Sequence, residues 1–441
     1  MTLPLFAYIA ILLFAGLLST RLMKIFKLPN VTGYIITGII MGPFLFGALF
    51  NNFSFGGIKD GIIFGYISRL GWVSQVALGF IAFTIGTSFR VSTLKSLGKR
   101  VIVITVLEAF GGSAAVILAL LIAHFCAPEQ VGWEIVLALG AIASATAPAA
   151  TLMVIKQYKA RGPIVDTLLP VVALDDAAAL ILFAILFQIA TTMAGGGEFS
   201  VYKMVAKPLI EIVLSLAIGA VLGLLVTFCN KFFKSRNNRL ILCVMSIFAS
   251  LGFYALFRFP ELGGFELSSL LMCMMAGAFY STLRPDSGPT FDVLDRFTSP
   301  IYMMFFVLSG ASLDLSIFFN ENGLFVLLIA GIYIVSRVVG KWAGAFSGAT
   351  ITRCSPEIRK YLGFTLVPQA GVAIGLATTA SALFTELGHN LGEVEGAAAT
   401  KAGALILAVI LSSTLVYELV GPLVSKFALT KAGAIAVETK A

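Results

Sequence analysis

Asp175 and Asp176 stand side by side inside an apolar stretch, Leu168 to Phe187, that is long enough to cross a bilayer as a helix. A carboxylate at membrane depth costs at least a few kcal/mol, so paired acids there mark a proton or cation pathway. Two cations answer them: Arg337 and Lys341 lie within another apolar stretch, and Glu108 lies deep in a third. Arg337 and Lys341, spaced i, i+4, share one helix face, whereas adjacent aspartates project about 100° apart. One aspartate can therefore face a helical neighbour while the other faces a water-filled cavity. A purely architectural alternative is two salt bridges that lock helices together. Three acids against two bases leave one carboxylate over, and that surplus favours ion transport.

Two further stretches carry helix breakers at mid-depth. Ser144-Ala145-Thr146-Ala147-Pro148-Ala149-Ala150-Thr151 interrupts one and Pro368-Gln369-Ala370-Gly371 the other. Unwound backbone at that depth is tolerated where it is buried in protein or lines a cavity, and half-helix ends supply dipoles for ions. A packed proline kink accounts equally well for either break alone. The pairing of the two breaks is the stronger signal.

The elements that must position these groups follow from composition. With 59% hydrophobic and 12% charged residues and a mean hydropathy of +1.00, the chain belongs in a bilayer. Cutting it at charged or turn-rich breaks leaves about thirteen apolar segments of spanning length, so the predicted fold class is an all-α polytopic membrane protein. The segments run near 3–20, 29–50, 70–89, 101–126, 133–155, 163–190, 205–229, 240–257, 263–283, 297–313, 323–349, 361–384 and 402–425. The broken fifth and twelfth are seven segments apart. An odd offset inverts orientation in a serpentine chain, so segments 2–6 and 9–13 form an expected inverted repeat with two broken helices crossing at mid-membrane.

Basic residues gather on alternate loops: Arg21, Lys24 and Lys27, then Arg90 to Arg100, Lys156 to Arg161, Lys231 to Arg239, Arg284, Arg296, Arg353 to Lys360 and the C-terminal lysines. Only Lys59, Arg69, Lys203, Lys207, Arg258 and Lys401 fall on the other side. The N-terminus is therefore expected outside and the C-terminus in the cytoplasm, with the first segment an uncleaved anchor. This scatter explains the net charge of +8 without a nucleic-acid partner.

Other chemistry has little to build on. His124 and His389 are the only histidines and lie near segment ends, so neither a metal cluster nor a His-centred triad assembles, and the chain is not expected to be an enzyme. An intramembrane aspartyl protease needs acids converging from separate helices, and neighbours on one helix diverge. A cation channel favours a ring or a continuous pore, whereas broken helices and an internal acid–base pair suit alternating access. The five cysteines show no paired spacing and are expected to be free thiols. Gly195-Gly196-Gly197 lacks the lysine and helix register of a phosphate loop and reads as a linker. Arg284 to Arg296 reads as a mixed-charge loop. Glu134, Asp166, Glu211, Asp314 and Glu418, nearer segment ends, read as interfacial.

Leu28-Pro29-Asn30-Val31-Thr32-Gly33-Tyr34-Ile35-Ile36-Thr37-Gly38-Ile39-Ile40-Met41-Gly42-Pro43, Ala173-Leu174-Asp175-Asp176, Gly340-Lys341 and Pro368-Gln369-Ala370-Gly371 together resemble the monovalent cation/proton antiporters, in their two-aspartate, NapA-like branch. The resemblance spans essentially the whole chain. It implies a sodium/proton antiporter fold and electrogenic exchange of a cation, expected to be Na⁺, for protons. A K⁺/proton antiporter, a proton-coupled solute transporter and a cation channel are the alternatives. Asp176 would take either cation or proton in competition, and Asp175 would be its partner, coupled to it so that the pair titrates as a unit.

Lys341 is the candidate to hold Asp175, with Arg337 its rival. Some relatives pair an arginine near this place with an earlier glutamate, which here would give Glu108–Arg337 beside Asp175–Lys341. Many relatives carry an acid in the broken fifth segment where this chain has Ala147, so ligation there would fall to Thr146, Ser144 or backbone carbonyls. The resemblance further implies scaffold and dimerisation helices over 1–100 and 231–320, core helices over 101–190 and 321–441, and a linker helix over 191–230. A homodimer in a bacterial inner membrane follows, in contact with lipid, with no cofactor and no nucleotide-binding domain. Gly33, Gly38 and Gly42 fit a subunit interface or ordinary packing within one subunit equally.

Overall fold

The computed structural model describes residues 3–26, 28–42, 69–87, 91–194, 202, 206–233, 235–257, 267–311, 323–390 and 393–435. Among these, fifteen α-helices and one 3₁₀ turn make up the regular structure. They are α1 (Leu3–Ile25), α2 (Asn30–Met41), α3 (Gly71–Thr87), α4 (Val91–Cys126), α5 (Trp133–Ala143), α6 (Pro148–Tyr158), α7 (Pro163–Met193), α8 (Lys207–Cys229), α9 (Arg236–Phe257), α10 (Ser269–Leu283), α11 (Gly288–Ala311), α12 (Gly323–Ile351), α13 (Pro356–Thr365), α14 (Gly371–Asn390) and α15 (Glu393–Lys431). Each expected segment receives a helix, and the fifth and twelfth receive two half-helices, α5/α6 and α13/α14. Nine stretches of described helix are long and apolar enough to cross a membrane, with α2, α3 and α10 apolar but shorter. Helices dominate because a chain in hydrocarbon must satisfy its backbone polar groups internally.

The helices divide between two compact units, Met1–Ser96 with Ile210–Asp314 and Leu97–Leu209 with Leu315–Ala441. In the first, small residues bring backbones together. A side chain at Gly38 would strike the carbonyl of Val307, one at Gly310 that of Ile35, and one at Gly42 would lie 3.0 Å from Ala311 O. Gly38 and Gly42 are therefore consumed in packing α2 on α11 within one subunit. Gly219 and Gly223 of α8 press likewise on the carbonyls of Met272 and Ala276 in α10.

In the second unit, two apolar clusters surround the breaks. One joins α4, α5, α7, α12, α14 and α15 through residues such as Val116, Ile142, Phe183, Tyr333, Phe384 and Ile410. The other joins α4, α6, α7, α12, α13 and α15 through Ile104, Val154, Leu168, Ala349, Leu362 and Leu429. Large apolar side chains such as Phe14, Phe110, Ile122, Val221, Phe228 and Val339 are exposed, the surface that lipid solvates.

Two expectations are corrected. The mixed-charge loop is only a short 3₁₀ turn, Pro285–Ser287, after which α11 starts at Gly288 and carries Asp292, Asp295 and Arg296. A proline within a first helical turn loses no hydrogen bond, and Pro289 sits there. Glu418 is not interfacial but 3% exposed within α15, because that helix runs on to Lys431. Pro43, residues 43–50 of the second segment, Lys59, Arg90, Gly195-Gly196-Gly197, Lys203, Arg258 and Asp314 lie outside the described residues. The five cysteines are free, with Cys243, Cys273 and Cys354 buried.

Candidate functional site

The approach of α4 to α12 sets the first part of the site. Gly340, Gly344 and Gly348 form a stripe at four-residue spacing on α12, and α4 lies against it. A side chain at Gly340 would meet the carbonyl of Gly111, one at Gly344 that of Leu107, and one at Gly348 would lie 2.8 Å from Ile104 Cα. Backbones this close leave Glu108, one residue past Leu107, level with Lys341. The Lys341 ammonium donates to Glu108 Oε2 at 2.7 Å and to Asp175 Oδ2 at 3.3 Å. It also donates to Thr146 Oγ1 at 2.6 Å. Lys341, Glu108 and Asp175 have no exposed surface, and Asp176 is 8% exposed.

Asp175 and Asp176 are carried by α7, whose Pro170 removes one backbone donor shortly before them. From α4, the Thr105 hydroxyl donates to Val171 O at 3.4 Å, tying the two helices together beside the acids. Glu108 Oε1, Asp175 Oδ1 and Asp176 Oδ1 are buried without a hydrogen-bond partner among the described residues. No group of three or more His, Cys, Asp or Glu side chains arranged to hold a metal ion occurs among those residues.

The two breaks touch. Helix α5 ends at Ala143, residues 144–147 are unwound, and α6 restarts with Pro148 in its first turn, where the missing N–H costs nothing. Helix α13 ends at Thr365, and α14 restarts at Gly371. Between them the Ala147 N–H donates to Pro368 O at 2.9 Å. Gln369, 1% exposed, donates to Ile142 O at 3.0 Å and Ala145 O at 3.4 Å, with the Tyr333 hydroxyl 2.9 Å from its Nε2. Thr151 adds a bond to Thr365 O at 2.9 Å.

Arg337, fully buried, donates from Nε to Ala143 O at 3.0 Å and from Nη2 to Ala145 O at 2.6 Å. Its Nη1 reaches Val367 O at 2.8 Å, and its guanidinium lies 4.8 Å from the Tyr417 ring centre. Ala143 is the last residue of α5, and Ala145 and Val367 lie in the unwound stretches that follow α5 and α13.

The structure thus brings together Glu108, Thr146, Asp175, Asp176 and Lys341, and gathers Arg337, Pro148, Pro368, Gln369 and Gly371 around the crossing. Lys341 reaches Asp175 as expected and Glu108 as well, whereas the described hydrogen bonds of Arg337 go to carbonyls and not to Glu108. Ser144 turns its hydroxyl back on Ala141 O at 2.7 Å, and no bond ties it to the acids. Two partners missed from sequence are Tyr333 and Tyr417. Tyr333 precedes Arg337 and Lys341 on α12 at the same four-residue spacing, a signal readable without the structure.

A helical membrane protein with a buried lysine shared by two carboxylates, beside two broken helices that cross main chain to main chain, is built as an ion-coupled secondary transporter. The transmembrane model of the sodium/hydrogen exchangers matches residues 9–426, and the chain belongs to that family. Family members are transporters and not enzymes, and the activity is cation/proton antiport across a membrane.

Two solved structures of the sodium proton antiporter MjNhaP1 from Methanocaldococcus jannaschii share the fold. One, at pH 8, is 17% identical, covers 98% of this chain and 99% of its own, and gives a TM-score of 0.69. The other, from electron microscopy, is 17% identical, covers 100% of both chains and gives 0.70. A comparison with curated proteins gives no match.

Proposed function

We propose that this protein exchanges Na⁺ for protons electrogenically, by alternating access, with cation and proton competing at Asp176. The observation that carries this reading is the division of the three acids. Lys341 engages Glu108 and Asp175, while Asp176, slightly exposed and with Oδ1 unpartnered, is left to take a cation or a proton. A dehydrated cation at Asp176, helped by Thr146 or carbonyl oxygens, draws Asp175 away from Lys341, which then releases a proton. Protonation of Asp176 removes its charge and expels the cation. The helices of the second compact unit serve as the moving core, and those of the first as scaffold and homodimer surface. The N-terminus lies outside and the C-terminus in the cytoplasm, in a bacterial inner membrane.

The test is reconstitution into liposomes with an imposed pH gradient and clamped voltage, scanning Na⁺, K⁺ and Li⁺. Proton flux driven by Na⁺, abolished by Asp176→Asn, is expected, and Lys341→Ala should remove voltage dependence more than turnover. Flux with K⁺ alone would shift the reading to K⁺/proton antiport. No cation-dependent proton movement in any condition would overturn it.

A further inference from the structure

Two glycines stand together within α4, Gly111 and Gly112. Glycine inside a helix is disfavoured against alanine, because it gives up more backbone freedom on folding, so each needs a reason. Gly111 has one in the approach of the helices: a side chain there would lie 2.6 Å from Gly340 O. Gly112, turned about 100° from it around the helix, meets something else. A Cβ on Gly112 would lie 2.9 Å from Lys341 Cγ and 3.5 Å from Lys341 Cε, with Ala143 O 3.3 Å away. The missing side chain leaves a slot in which the lysine stem lies, with a main-chain carbonyl at its rim. Glu108 is one turn earlier on the same face of α4, and the Lys341 stem passes Gly112 on its way to bring Nζ to Glu108 Oε2.

We infer that Gly112 is a positioning residue for the exchange: its bare Cα gives the Lys341 stem the room to change partners. The inference rests on the proposed reading in one respect, that Lys341 lets go of Asp175 during the cycle. An ammonium has three donors, and this one spends them on Glu108 of α4, Asp175 of α7 and Thr146 in the break. Leaving Asp175 requires rotation about the carbon–carbon bonds of the stem, which sweeps its methylenes across whatever lies beside them. In a close-packed interior that sweep is open only where atoms are missing. Lys341 has no exposed surface, and the atoms missing beside its stem are those of a side chain at 112. A methyl there would force the stem off its staggered rotamer or out of the slot.

The test is a double-mutant cycle of the full chain, with Gly112→Ala made in the native and Lys341→Ala backgrounds. Transport is read in proteoliposomes under a fixed pH gradient and titrated with Na⁺, and thermal unfolding in detergent. In the native background Gly112→Ala should lower maximal turnover about two- to twelvefold, change KM less, and lower the unfolding midpoint. In the Lys341→Ala background, where the stem is gone, the same methyl should change none of these. Native turnover in a folded Gly112→Ala protein overturns the inference. So does a loss of equal size in both backgrounds, since the methyl would then act without the stem. Should Gly112→Ala alone fail to fold, the double variant decides: recovery of the fold supports the slot, and failure overturns it. Lys341→Ala by itself keeps this inference apart from the proposed cycle. Native voltage dependence in that variant counts against the role of Lys341 in the cycle, while the unfolding midpoints still decide whether the methyl meets the stem.

Discussion

Glu108→Gln probes how the ammonium of Lys341 is shared. Nζ lies 2.7 Å from Glu108 Oε2 and 3.3 Å from Asp175 Oδ2, with Thr146 Oγ1 at 2.6 Å as a neutral third acceptor. Glutamine keeps the size and an acceptor oxygen and removes the charge. A hydrogen bond to a charged partner contributes about 1.5–3 kcal/mol and a neutral one about 0.5–1.5 kcal/mol. The balance therefore moves toward Asp175 by about 1–1.5 kcal/mol. In the proposed cycle the entering cation has to detach Asp175 from Lys341, so its apparent affinity falls by that amount. The KM for Na⁺ should rise about five- to twelvefold, with maximal turnover less affected. Proteoliposomes loaded with a pH-sensitive dye, under a fixed pH gradient and titrated with Na⁺, read this directly. An unchanged or lower KM, in a variant with the native unfolding temperature, refutes the sharing of Lys341 by Glu108.

Other perturbations follow from the same geometry. A Cβ at Gly344 would lie 2.7 Å from Glu108 Cα, so Gly344→Ala must push α4 and α12 apart by about 1 Å and should cost about 1–3 kcal/mol, seen as a lower unfolding midpoint with slower transport. Gly331, on the same helix, faces open space, and Gly331→Ala should leave transport intact and stability equal or higher by up to about 1 kcal/mol. Gln369→Leu strips the amide from Ile142 O and Ala145 O and should destabilise by about 1–3 kcal/mol in the same assay. Outside the membrane, hydrogen bonds from Arg284 hold the Asp286 carboxyl below its usual range. A depressed folded value stabilises above the unfolded value and is lost as pH falls through the folded one. The small midpoint difference between Asp286→Asn and the native chain should thus be constant from about pH 8 to about pH 5 and close only below about pH 4.

The acids and bases at membrane depth are legible in the sequence because charge is costly there and stands out against 59% hydrophobic residues. The two breaks are legible for the same kind of reason, since proline beside small polar residues cannot continue a helix. The pairing is not. Arg337 and Lys341 share a face, and the choice of which one meets Glu108 depends on how far α4 slides along α12, a distance set by the glycine stripe and invisible in the spacing of charges. The partners of Arg337 are main-chain carbonyls, which every residue possesses and none advertises. Hydropathy does not mark the burial of Glu418 or the start of α11, because α15 continues to Lys431 and α11 begins among charges.

The contact that joins the two breaks, Ala147 N–H to Pro368 O, belongs entirely to the main chain. Its strength does not depend on what side chain residue 147 carries, and the small methyl there is 7% exposed. The bond itself would therefore survive a change of side chain at 147, whereas a carboxylate placed there would be buried and would need a partner of its own. At residue 147 the geometry of the crossing and the chemistry of the side chain are thereby separable.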